Sequence, residues 1–181
     1  MYRFFKEITN IKLPQWATPN TVVLNRPAYR LRFFRAGHHT LLILPPQAGH
    51  YSCIADYKNG MSLVQHYCNK GYSVYAMEWK SCSFSRRNES LDDLVEQVKE
   101  CVQYIGVEVN LVGLCQAGWL ASMFTSKYPE MVDSLTIGGA PIDFNAGEGY
   151  IKRLVQLLPH DFYRWLVWVN GGIMPGSLIL W

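Results

Sequence analysis

The residues best suited to chemistry stand in a row, Gly113-Leu114-Cys115-Gln116-Ala117-Gly118. Before them, Val109 to Leu114 is a short apolar run of strand type; after them, Ala117 to Tyr128 has the composition and length of a helix. A cysteine at a strand-to-helix junction, with small residues on either side, fits the G-x-S-x-G nucleophile elbow with Cys in the Ser position. The chemistry of such a place is covalent. A very tight turn presents the side chain, and a helix N-terminus aimed at a cysteine favours its thiolate. The backbone N–H of Gln116 is then placed to face a developing oxyanion. Ala117 stands where glycine is usual, and Gly118 follows directly.

Free cysteine is also among the most buried residue types, so a small core residue is the competing reading of Cys115. The strand, the small flanks and the helix together favour the nucleophile. Cys53, Cys68, Cys82 and Cys101 have no such setting and are expected to pack or lie on the surface. The second oxyanion donor is expected in the loop "PPQAGH" that follows the apolar strand ending at Leu44, with Ala48 or Gly49 as the donor. His50, in the same loop, either contacts substrate or is merely solvated. Trp119 is expected to pack beneath the elbow and Asp143 to cap the turn after the last strand. His38, His39 and His66 have no placement that suggests work.

The elements that must position these residues alternate. Thr21 to Arg35 reads as an antiparallel pair around Asn25-Arg26-Pro27, with Arg26, Arg30, Arg32 and Arg35 on its solvated face. His39 to Pro46 is a continuous apolar run ended by prolines, the pattern of a strand buried on both faces. A helix is expected from Asp56 to Lys70, with Met61, Val64 and Cys68 on one stripe and Gly71 as its stop. Tyr72 to Trp79 follows as a second buried strand. Then comes the clearest helix, capped by Ser90, ended by Gly106, and apolar at Leu91, Leu94, Val95, Val98, Val102 and Ile105. Val109 to Leu114 and Val132 to Pro141 supply the third and fourth buried strands. Strands alternating with helices imply a mostly parallel sheet with helices on both faces, made mixed by the opening pair. After Pro141 the chain turns rich in Gly, Pro and Trp, with helical pieces such as Tyr150 to Leu158, and leaves the sheet.

Composition bounds the partners. The chain has 181 residues, 49% hydrophobic and 17% charged, enough for one domain with a core. A net charge of +3 with scattered basic residues carries no nucleic-acid stripe. No metal-ligand spacing is visible, and five cysteines without CxxC are most simply reduced thiols in a cytoplasm. No stretch approaches the roughly 18 apolar residues of a transmembrane helix, and the start, "MYRFFKEITNIKLPQW", lacks a signal-peptide core.

On these residues the chain resembles the polyhydroxyalkanoate synthases, a branch of the α/β-hydrolase superfamily, and the related intracellular polyhydroxybutyrate depolymerases. The likeness runs through "SLDDLVEQVKECVQYIGVEVNLVGLCQAGWLASMFTSKYPEMVDSLTIGGAPIDF", with a lipase-like box around Cys115; upstream, "TPNTVVLNRPAYRLRFF" looks like the opening strands and "QAGHYS" is nearer the depolymerase side. Further on, "GGIMPGSLIL" looks like the start of that family's cap.

The resemblance implies an α/β-hydrolase fold, with residues 1–144 as the N-terminal part of the core and 145–181 as the start of a cap. It also implies acyl transfer through Cys115, without a cofactor, from hydroxyacyl-CoA or from polyester. The protein would be cytoplasmic, associated with polymer granules, and able to assemble with itself or a partner subunit. An aspartate and a histidine should follow later strands, in that order. The sheet is expected to end before those strands, at Trp181, so both should lie outside this chain. His160, the one histidine after Cys115, falls in the cap-like stretch and is expected to be a surface residue. Three readings stay open: a synthase-like acyltransferase, a depolymerase or other esterase, and a non-catalytic remnant that binds polymer or a partner through its Trp-rich tail. For the tail, half of a broken core is the plainer account.

Overall fold

The computed structural model describes residues 14–47, 51–143, 145–157 and 159–174. Eight strands and five helices are present among them: β1 (Thr21–Asn25), β2 (Tyr29–Arg35), β3 (His39–Leu44), β4 (Asp56–Lys58), β5 (Met61–Ser62), α1 (Leu63–Asn69), β6 (Tyr72–Trp79), α2 (Leu91–Ile105), β7 (Val109–Leu114), α3 (Gln116–Lys127), β8 (Val132–Gly138), α4 (Tyr150–Gln156) and α5 (His160–Val169). Six strands make one sheet in the order β1-β2-β6-β3-β7-β8. The β1-β2 and β2-β6 pairs are antiparallel, and β3-β6, β3-β7 and β7-β8 are parallel. The sheet is mixed, as expected, and its parallel strands all end at one edge.

Strand alternation divides the core into two layers. Leu42 and Leu44 of β3 join Leu31, Met77 and Leu111 on one face, under Leu94, Val95, Val98 and Val102 of α2 and Leu120, Ala121 and Phe124 of α3. Leu41 and Ile43 point the other way, to Val74, Ala76 and Val112, under Val64 and Cys68 of α1. A strand buried on both faces has no polar side to show, which explains the unbroken "LLIL". Each fully buried Leu or Ile contributes about 1.5–3 kcal/mol.

Caps set the helix ends. Ser90 Oγ accepts from Asp93 N at 3.2 Å while Asp93 Oδ2 accepts from Ser90 N at 2.7 Å, a reciprocal capping box. Gly106, at φ 80, closes α2 in the left-handed region. Leu91, expected on the apolar stripe, is exposed, because it occupies the first helical turn outside the contact with the sheet.

Two expectations are corrected. The stretch from Asp56 is not one helix: β4 and β5 form a hairpin around Asn59-Gly60, with Gly60 at φ 79, and the helix starts only at Leu63. The Asn-Gly pair is the turn signal that the helical stripe overrode. Met61 is accordingly exposed, and Ser62 caps α1 by accepting from Gln65 N at 2.8 Å. Buried Asp56 holds this hairpin to the chain before β1, accepting from Thr18 N at 2.7 Å, Thr18 Oγ1 at 2.8 Å and Ser62 Oγ at 2.5 Å. The second correction concerns β8, expected to be buried. It alternates between half-buried and exposed, since among the described residues it has a neighbour strand on one side only.

The arginines of β2 do more than face solvent. Arg32 Nε sits 2.6 Å from Glu78 Oε2 and Arg30 Nη1 3.3 Å from Glu78 Oε1, clamping β2 to β6. Arg26, at the β1-β2 turn, reaches Glu100 of α2, which also accepts from the buried Tyr29 hydroxyl. The Arg26 and Tyr29 hydrogen bonds hold the Glu100 carboxyl below its ordinary value. A depressed folded-state pKa gives stability that is present above the unfolded value and lost as pH falls through the folded one. The stability advantage of the wild type over Glu100→Gln should therefore be full at neutral pH and fade below the ordinary 4.5 of a glutamate. Urea unfolding at about pH 7 and about pH 3 checks this; an advantage that grows on acidification contradicts it.

Candidate active site

Cys115 occupies the one place where β7 must stop and α3 must start without a loop. Its backbone lies at φ 51, ψ −122. Among the described residues it is the one non-glycine with positive φ. An L side chain held there costs about 1–3 kcal/mol and persists only where its surroundings impose it. Here they do. The Cys115 N–H donates to the Gly138 carbonyl at the end of β8 at 2.7 Å, and the Cys115 carbonyl accepts from Gly118 N at 2.9 Å.

The small residues on each side are required by distance. A Cβ on Gly113 would meet the Ala117 carbonyl oxygen at 2.6 Å and Gly118 Cα at 2.7 Å. A Cβ on Gly118 would meet Ala140 Cβ at 2.3 Å and Ile137 Cγ2 at 2.8 Å. The close approach of α3 to β8 thus falls on Gly118, one position beyond the usual glycine, and Ala117 is simply buried. Ala140 comes to Gly118 because β8 ends in Gly139, which turns the chain at φ 62.

Cys115 is exposed at the edge where the parallel strands end. The other thiols differ in setting. Cys53, Cys68 and Cys101 are buried. Burial pushes the Cys101 thiol up to about 12, and raises those of Cys53 and Cys68 as well. Buried and held protonated, these three are packing residues. Cys82 is exposed after β6, where its Sγ donates to the Ser83 carbonyl at 3.5 Å.

Gln116 is the first residue of α3, directly after the cysteine. Helix N–H groups point toward the N-terminus, so those of the first turn project past Cys115. Gln47, from the segment after β3, borders a small cleft with Gln116, Ala117, Trp119, Leu120 and Leu94. Trp119 lies beside the elbow, half-buried on the main core, close to the place expected for it. The other residues expected in the β3 loop, Ala48, Gly49 and His50, lie outside the described residues.

Asp143 forms a local turn, its Oδ1 accepting from Asn145 N at 2.8 Å. His160 opens α5, and its side chain lies outside the described residues. Trp165 and Trp168 of α5 are exposed. Gly138, which holds the cysteine's N–H, was not singled out in the sequence; the double glycine ending an apolar run was its available signal. Among the described residues no group of three or more His, Cys, Asp or Glu is arranged to hold a metal, and no helix is long and apolar enough to cross a membrane.

The strain at Cys115 has a measurable consequence. At an ordinary position Gly is less stable than Ala, but at a positive φ the order reverses. Cys115→Gly should be more stable than Cys115→Ala by roughly 1–2 kcal/mol, with urea midpoints as the readout. Cys115→Ala being the more stable contradicts the strained elbow.

Comparison with known proteins bears on the fold and on sequence likeness. No family model matches the chain. It is 28% identical over 134 residues to the poly(3-hydroxyalkanoate) polymerase subunit PhaC of Allochromatium vinosum, a match over 71% of this chain and 37% of that protein. It is 27% identical over 146 residues to the PhaC of Haloferax mediterranei, over 75% of this chain and 30% of that one. The matched part is thus about a third of the length of these relatives. Among solved structures, MGS-MChE2, an α/β-hydrolase enzyme from the metagenome of sediments of the Mar Chica lagoon, Morocco, superposes with a TM-score of 0.53. That likeness is at 20% identity and covers 88% of this chain and 63% of that one, and it bears on the fold. The chain therefore has the α/β-hydrolase fold and is similar in sequence, over part of their length, to poly(3-hydroxyalkanoate) polymerase subunits.

Proposed function

We propose that this protein transfers hydroxyacyl groups through a covalent intermediate on Cys115, in the manner of a polyhydroxyalkanoate synthase. The observation that carries the reading is the backbone of Cys115, an exposed thiol on a turn that no packing residue needs. A core cysteine has no use for positive φ. A nucleophile does, because the sharp turn lifts its side chain clear of the sheet and lets carbonyl carbon approach.

In the proposed first step, Cys115 Sγ bonds to the carbonyl carbon of a hydroxyacyl thioester such as hydroxyacyl-CoA. The oxygen becomes an oxyanion, received by the N–H of Gln116 and by a second donor from the β3 loop, Ala48 or Gly49. The bond to the leaving thiol then breaks, and that thiol takes the proton lost by Cys115. In the second step the hydroxyl oxygen at the end of a growing ester chain bonds to the acyl carbonyl carbon, the Cys115 Sγ–carbon bond breaks, and the hydroxyl proton returns to the Cys115 thiol. His50 is the proposed contact for the bound acyl chain. No residue of this chain is assigned the roles of base and acid. No cofactor or metal enters the scheme. The relatives named as polymerase subunits support both the substrate class and an assembly with a second polypeptide. Residues 145–181, of which 175–181 lie outside the described residues, are proposed as the start of a cap, a reading supported by α4 and α5, which add no strand to the sheet.

Cys115→Ser should lower turnover of a hydroxyacyl thioester in the native protein by at least about a thousandfold, as loss of a nucleophile does elsewhere. Undiminished turnover sinks the proposal. The product separates the two acyl-transfer readings: a lengthened ester chain marks a synthase, and free hydroxy acid marks a hydrolase.

A further inference from the structure

β6 ends firmly. At its last residue, Trp79, the indole Nε1–H donates to the Pro45 carbonyl at 2.8 Å and the backbone N–H to Ser52 Oγ at 2.9 Å. The loop that follows folds back on this strand end through one guanidinium. Arg86 Nη2 donates to the Ser81 carbonyl at 2.5 Å and the Lys80 carbonyl at 3.4 Å, while Nη1 pairs with Glu89 Oε2 at 2.8 Å. Glu89 is held in turn by α2, where Gln97 Nε2 donates to Glu89 Oε1 at 3.0 Å. The loop is thus a fixed platform, tied to β6 at one end and to α2 at the other.

Two side chains on this platform take no part in the clamp. Phe84 is 66% exposed. Arg87 is exposed, and among the described residues its guanidinium has neither a hydrogen bond nor an ion pair. Gly171 and Gly172, just after α5, run alongside them. A Cβ on Gly171 would lie 3.1 Å from Phe84 Cε1, and one on Gly172 would lie 3.1 Å from Arg87 Cδ. The contact stops at the ring edge and the arginine stem, which leaves most of the ring and the guanidinium open.

We propose that Phe84 and Arg87 receive the nucleotide end of a coenzyme A thioester that acylates Cys115. This rests on the acyl-transfer reading. An exposed ring beside an unpaired guanidinium suits a flat heterocycle that bears phosphates. The ring offers a stacking face to adenine. The guanidinium fits phosphate through two parallel N–H···O bonds. The charge of Arg86 is answered by Glu89, whereas that of Arg87 is left for a ligand. The placement also fits. Ile43 of β3 pairs with Ala76 on one side and Val112 on the other, so Trp79 and Cys115, each three residues further on, stand at the same level. Two strand spacings, about 10 Å, separate them in the order β6-β3-β7. The pantetheine arm, with two amide units between nucleotide and thioester, bridges a gap of that size.

The test compares two thioesters of one hydroxy acid on the native protein. One is the coenzyme A thioester; the other, the N-acetylcysteamine thioester, keeps the reacting end of the arm and lacks the nucleotide. Arg87→Ala should raise KM for the coenzyme A thioester about tenfold or more, as loss of a charged hydrogen-bond partner does, with kcat within about twofold. Phe84→Ala should raise it about fivefold or more, the lower end of what a lost base stack costs. Neither should change kcat/KM for the N-acetylcysteamine thioester by more than about twofold.

Variants that slow both thioesters alike overturn the claim, since that is the behaviour of a pair that only seats the segment after α5. A wild type with the same KM for both thioesters overturns it too. Should Arg87→Ala fail to fold by circular dichroism, Phe84→Ala is judged by the same two substrates. A wild type acylated by neither thioester contradicts the acyl-transfer reading and, with it, the nucleotide site. Wild-type acylation with unaffected variants overturns the nucleotide site alone.

Discussion

A single turn of backbone at Cys115, bent the wrong way for an L-residue, is the constraint the rest of the molecule serves. It holds because three elements meet there with no room to relax. β7 delivers the chain, α3 takes it away, and the last carbonyl of β8 accepts the cysteine's own N–H. The contacts are tight enough that Gly113 and Gly118 can carry no side chain, since each hypothetical Cβ falls well inside van der Waals distance. The strain is therefore a property of the packing, and it lasts as long as α3 lies on β7 and β8.

From that constraint the roles of the flanking elements follow. β8 must turn at once after Gly138 to bring Ala140 over Gly118, and Gly139 permits the turn. β3, beside β7, must end where it no longer crowds the elbow, and two prolines end it. The helices need only be held down. The capping box at Ser90 and Asp93 starts α2. Glu96 ties it to α3, accepting from Lys127 Nζ at 2.9 Å and from the Tyr128 hydroxyl. Rigid scaffold and strained tip form one design, in which the core supplies the free energy that the turn consumes.

Much of this was legible in the sequence because it follows period and punctuation. A continuous apolar run marked β3, short β-rich stretches marked β6 and β7, and Ser90 and Gly106 bounded α2 at both ends. The cysteine between Gly113 and Gly118 marked the elbow. What was not legible depends on contacts between distant segments. Asp56 looked like the start of a helix, since nothing local reveals that Thr18 and Ser62 would bond its carboxylate. β8 looked buried because an apolar run cannot say how many neighbours a strand has. The compensating step from Ala117 to Gly118 is a matter of distances to Ala140, which lies far along the chain. Trp79 passed as one more strand residue, since its partners, Pro45 and Ser52, belong to a different βα unit.

The most direct test of the account is the mass of the native protein quenched soon after mixing with a hydroxyacyl thioester, followed by peptide mapping. The account predicts one added hydroxyacyl group per chain, carried by the peptide that contains Cys115. An acyl group on Cys82, on any other residue, or on none while substrate is consumed would mean that the strained turn does not present the nucleophile.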